Sequence, residues 1–136
     1  MADLPTFLGV NVVTPRGVVA HEDTDSIMAP GEEGAFELLP GHVPLLTALK
    51  PGVLVIGKKA RYAVSSGYLR VDPSNKVEIL VEQAVASGDV DAEVAKKELA
   101  AAEAEIAKWD KPLDGDYVSL QQRAGFAKAR LDAIAH

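Results

Sequence analysis

The chain changes its hydrophobic period once, near residue 87, and that switch limits the folds open to it. Before Ser87-Gly88, short β-rich runs alternate with Gly, Pro, Asn and Asp every few residues, the pattern of strands joined by tight turns in a sandwich or barrel. After it the β-branched runs end, and apolar residues recur at steps of four and three, as on one stripe of a helix. The class is therefore α+β, with strands first and helices second.

The strand half reads as eight to ten short segments. FLGVNVVT (7–14) places Leu8, Val10 and Val12 on one face, and Pro15-Arg16-Gly17 turns the chain. GVVAH (17–21) and SIMAP (26–30) follow; LLTALK (45–50) and VLVIG (53–57) flank the turn pair Pro51-Gly52. RYAVSS (61–66), YLRV (68–71) and VEILVEQA (77–84) complete the set, with Asp72-Pro73-Ser74-Asn75 turning the chain before the last. GEEGAFELLPGH (31–42) reads as a loop.

In the second half, Ala95, Leu99, Ala102, Ile106 and Trp109 form one helical stripe within 89–109, with Asp89 or Asp91 as cap. Asp110 to Gly115 breaks the helix, and Leu120, Ala124, Ala127, Leu131 and Ile134 repeat the stripe. Two such helices with a short connector fold back into an antiparallel hairpin. Its seam is rich in alanine, so it buries little area and is expected to be movable. The charges oppose: residues 89–108 hold three lysines against six acids, while residues 117–134 hold Arg123, Lys128 and Arg130 against Asp132.

Composition narrows the function classes. A hydrophobic share of 48% with 25% charged residues is that of a globular protein, and no apolar run approaches the ~20 residues needed to span a bilayer. The start, MADLPTF, has neither the basic and apolar segments of a signal peptide nor the bias of a transit peptide, so the chain is expected to stay where it is made. Zero cysteines exclude disulfides and thiolate chemistry, and a net charge of −6 argues against nucleic acid as a partner. His21, His42 and His136 lie far apart with no ligand spacing, so no metal or other cofactor is expected. Glu32-Glu33, Asp23 and Asp25 read as solvated turn residues, and no phosphate-binding or nucleophile motif occurs. No catalytic residue is assigned.

Residues 38–54, LLPGHVPLLTALKPGVL, are a stiff apolar ribbon broken by Pro40-Gly41, Pro44 and Pro51-Gly52, with His42 at its bend. This segment closely resembles the most characteristic stretch of the epsilon subunit of the F-type rotary ATP synthase. NVVTPRG (11–17), GEEGAFELLPGH (31–42), AVSSGYLRV (63–71) and DVDAEVA (89–95) stand in that family's order and spacing. The resemblance implies an N-terminal antiparallel β-sandwich over residues 1–87 and a C-terminal antiparallel two-helix hairpin over residues 88–136. It also implies a non-catalytic rotor part at the cytoplasmic face of the bacterial plasma membrane, or less typically the stromal face of a thylakoid, held there only through its complex. The sandwich is then expected to grip the gamma subunit and rest on the c-ring, and the hairpin to meet the catalytic alpha and beta subunits and inhibit ATP hydrolysis.

Residue by residue, the resemblance places His42 near the junction with gamma and the c-ring. The family's acidic loop residue has no direct counterpart, because Ala35-Phe36-Glu37 stands where an acid and a glycine are common, leaving Glu33 and Glu37 as the candidates for the ring contact. Arg123, Lys128 and Arg130 are the candidates for the inhibitory contact. An alternative class is a nucleotide-sensing module, since some members bind ATP on the hairpin through an [IL]DxxRA-like string. Here that string reads Val90-Asp91-Ala92-Glu93-Val94-Ala95, and Val94 in place of arginine removes the phosphate-binding fork, so no ATP affinity is expected.

Overall fold

The computed structural model describes residues 7–41 and 44–135. Ten strands form the first part: β1 (Leu8–Thr14), β2 (Gly17–Thr24), β3 (Ile27–Gly31), β4 (Gly34–Leu38), β5 (Leu45–Leu49), β6 (Gly52–Ile56), β7 (Ala60–Val64), β8 (Gly67–Val71), β9 (Lys76–Val81) and β10 (Ala84–Ala86). A 3-10 turn at Ser87–Asp89 leads into α1 (Ala92–Ala107) and α2 (Gly115–Ile134). The order of strands followed by a helical hairpin is the one expected.

The strands hydrogen-bond in the order β10-β7-β6-β3-β5-β8-β9-β1-β2, with β4 added beside β3, and the sheet folds over one core. Every pairing is antiparallel except that of β1 with β9, which is parallel. Strict alternation fills the core: Leu8, Val10 and Val12 of β1 face Val77, Ile79 and Val81 of β9, with Leu54, Leu69 and Ile27 beside them, all buried.

Three local readings change, the first being that Trp109, expected on the stripe of the first helix, lies beyond the end of α1 at Ala107. The segment read as a loop at 31–42 contains β4, whose Phe36 packs against the core and whose Leu38 is buried in it. The run read as one strand at 77–84 is β9 and β10, broken at Glu82-Gln83, because β9 pairs with β8 while β10 crosses to β7.

Both helices start on aspartate caps. Asp91 accepts from the Glu93 and Val94 amides at 3.1 and 3.2 Å, and Asp114 from those of Asp116 and Tyr117 at 3.0 and 3.1 Å. At the hairpin tip Trp109 meets Tyr117 edge to face, ring centroids 5.3 Å apart. The expected stripe of α2 includes the buried Leu120 and Ala127. A second stripe, Phe126, Ala129 and Ala133, seats α2 on the sheet against Ala63, Val53 and Val85. No described helix is long and apolar enough to cross a membrane.

Candidate functional site

The outward positions of β5, β8, β9, β1 and β2 line up by register into cross-strand rows. One row runs Ala48, Tyr68, Leu80, Val13 and Val18 across all five strands. A bulge in β2 sets both Val18 and Val19 opposite Val13 and widens the row at its edge. Tyr68 is 57% exposed, Leu80 45% and Val18 64%, so this apolar row lies open to solvent. The adjacent row, Leu46, Arg70, Glu78, Asn11 and His21, is mostly polar and internally paired. Arg70 forms an ion pair with Glu78, and His21 Nδ1 lies 2.5 Å from Asn11 Oδ1.

The acidic candidates are separated. Glu33 sits in the two-residue turn between β3 and β4, at the end of the sandwich where the Glu32 amide donates to the Ala48 carbonyl at 3.0 Å. The turn needs its glycines: Gly34 has φ 139°, and a Cβ on Gly31 would stand 2.6 Å from the Gly34 carbonyl oxygen. Glu33 therefore adjoins the end of the apolar row at Ala48. Glu37 lies four residues along β4, about 13 Å away. It sits in a different row, with Met28, Val55 and Arg61, on the face that carries α2. His42 lies outside the described residues. Gly41 before it is at the far end of the sandwich, where its amide donates to Asn75 Oδ1 at 2.7 Å.

The three basic residues of α2 differ in the docked hairpin. Arg130 pairs with Glu98 of α1 and stands 4.9 Å from the Phe126 ring centroid, and its side chain is only 13% exposed. Arg123 lies 3.8 Å from Glu105 of α1 with 68% exposure, and Lys128 is exposed. Arg130 is thus part of the closed packing, whereas Arg123 and Lys128 lie at the surface.

Arg61 and the apolar row were missed by the sequence reading. Leu80 carried a signal, since the inward alternation Val77, Ile79, Val81 leaves it at an outward position where a polar residue is usual. Arg61 carried none, because its partners are backbone carbonyls of α2.

The family model for the ATP synthase, Delta/Epsilon chain, beta-sandwich domain matches residues 7–87. The ATP synthase epsilon chain of Geobacter sulfurreducens is 42% identical over 113 residues, 81% of this chain and 80% of that one. That of Magnetococcus marinus is 35% identical over 128 residues, 92% of each. A chain in the solved Euglena gracilis mitochondrial ATP synthase, OSCP/F1/c-ring, shares the fold with a TM-score of 0.79 at 21% identity, covering 99% of this chain and 85% of that one. By the family model over residues 7–87 and by these relatives, the chain belongs to the ATP synthase epsilon chain family.

Proposed function

We propose that the chain is a non-catalytic rotor subunit of the central stalk, coupling c-ring rotation to ATP synthesis and braking ATP hydrolysis through its hairpin. The observation that carries the coupling role is the solvent-exposed apolar row Ala48-Tyr68-Leu80-Val13-Val18, which five hydrogen-bonded strands hold rigidly in register. Burying an aromatic or large aliphatic side chain contributes about 1.5–3 kcal/mol, so this row is a strong docking strip for the apolar side of gamma. Glu33, at the turn beside that row, is then the acid this reading favours for the c-ring contact over Glu37, which lies on the hairpin's face. The subunit stays at the cytoplasmic face of the bacterial membrane through its complex.

The brake is the second half of the proposal. In the docked hairpin Arg123 and Arg130 pair with Glu105 and Glu98 of α1. The docked state is therefore the non-braking one, and extension exchanges those acids for acidic segments of the alpha and beta subunits. The nucleotide-sensing alternative gains no support, since the Asp91 carboxylate is engaged in capping α1.

Co-purification tests the coupling half: the double change Tyr68→Glu and Leu80→Glu is expected to abolish association with gamma while the folded circular-dichroism spectrum is kept. Undiminished association would overturn it. Hydrolysis by the assembled complex tests the brake. Removal of residues 88–136 is expected to raise it, and an unchanged rate would reject the inhibitory role.

A further inference from the structure

The outer face of β10, β7 and β6 presents the cross-strand row Val85, Ala63 and Val53, which α2 covers with Phe126, Ala129 and Ala133. Alternation puts Arg61 on the same side of β7 as Ala63, one row along and opposite Val55. There its guanidinium reaches the end of α2: Nε–H donates to the Ala133 carbonyl at 3.1 Å and Nη2–H to the Asp132 carbonyl at 3.3 Å. The last turn of α2 has no basic residue and includes Asp132, so no side-chain charge of that turn offsets the partial negative charge at the Asp132 and Ala133 carbonyls. Arg61 brings the missing positive charge from the sheet.

A second contact fixes the position of the first. Gly125 of α2 lies against Pro51, where an added Cβ would stand 3.1 Å from the Pro51 Cβ and Cγ. From Gly125 to Ala133 a helix rises about 12 Å, and from Pro51 to Val55 a strand rises about 13 Å. The two contacts therefore match one alignment of α2 along β6, one at each end.

We propose that Arg61 is the latch of the hairpin, holding α2 on the sheet by its terminal carbonyls, with Gly125 on Pro51 setting the register in which the latch engages. These carbonyls are available only at the end of an intact, correctly placed α2, so the latch reads the helix's length and position instead of its side chains. As the control of a hydrolysis brake it rests on the function proposed above; as a docking contact it stands by itself.

Hydrogen exchange on the full chain tests it, with Arg61→Ala and Arg61→Lys compared with the unsubstituted protein. Arg61→Ala is expected to speed exchange in the second half of α2 about tenfold, the scale of losing hydrogen bonds to a charged donor. Amides of β8 and β9 keep their protection. Arg61→Lys keeps the charge but loses the fork, and is expected to fall between the two. Unchanged α2 exchange in Arg61→Ala, with β8 and β9 intact, overturns the latch. Should the alanine variant fail to fold, exchange in Arg61→Lys equal to that of the unsubstituted chain overturns it instead. In the assembled enzyme, Arg61→Ala is expected to lower ATP hydrolysis by freeing the hairpin. Faster α2 exchange together with hydrolysis insensitive to removal of residues 88–136 would leave the latch standing and reject the brake. Unchanged exchange together with hydrolysis raised by that removal would do the reverse.

Discussion

Asp72 closes the turn before β9 with one carboxylate oxygen, which accepts from the Ser74 amide at 2.9 Å, the Ser74 hydroxyl at 2.8 Å and the Lys76 amide at 3.0 Å. The Lys76 amide first, then the Ser74 hydroxyl, hold the carboxyl below its ordinary value. A depressed carboxylate stabilises the fold above its unfolded value and loses that contribution as pH falls through the folded one. Asp72→Ala is therefore expected to lower stability at neutral pH, with the gap to the parent chain closing in acid below about pH 4; urea unfolding across that range checks it. Asn75, in the same turn, has φ 64° and takes the Gly41 amide on its side chain. Asn75→Gly keeps the backbone at ease but strips Gly41 of its partner, whereas Asn75→Ala adds left-handed strain of about 1–2 kcal/mol. The alanine variant is expected to unfold at lower urea than the glycine variant, and the reverse order would show that the turn relaxes.

At the scale of elements, α2 rests on two faces, only one of which was legible. The stripe Leu120, Ala124, Ala127, Leu131 and Ile134 stood out because it carries three large residues. The sheet-facing stripe is Phe126 with two alanines, and alanine looks the same to a periodicity argument whether it is buried or not. β4 was hidden in a similar way. Its period-2 pair, Phe36 and Leu38, lies between glycines that the β3–β4 turn needs and a Pro-Gly pair, so punctuation outweighed alternation. Of the candidate residues, the separation of Glu33 from Glu37 could not be read without the register of β4 on β3. Gly125→Ala sets two effects against each other: about 1 kcal/mol of helix propensity gained, and a methyl pressed on the rigid Pro51 ring. The expected outcome is a more helical but less firmly docked α2, seen as faster exchange at its sheet-facing amides. Slower exchange would mean that Pro51 yields.

For the whole molecule, the main core draws only on strand residues and their connections, and the α2 contacts form a separate, smaller cluster. A chain of residues 1–87 is therefore expected to fold alone and still bind gamma through its opposite face. It exposes Val85, Ala63 and Val53, which makes it more prone to self-association at high concentration. A soluble truncated chain that fails to bind gamma would sink this. In the full assembly, changing Arg123, Lys128 and Arg130 together to glutamate is expected to raise hydrolysis while gamma binding persists. Arg130→Glu and, more weakly, Arg123→Glu also set like charge against Glu98 and Glu105 and loosen the closed hairpin, so their effects are mixed, whereas Lys128 reports on the extended contact more cleanly.

The parallel pairing of β1 with β9 has a consequence for how the chain is made. Gly9 sits opposite Lys76, and β1 is wedged between β9 and β2, so one flank of β1 stays open until nearly the whole sandwich has emerged. Until then the β1–β2 hairpin offers a bare edge to any neighbouring nascent chain, and closure demands a long loop at high contact order. Folding is thus set by an early strand waiting for a late one, and α2, emerging after both, can settle only on a face whose strands have already been joined.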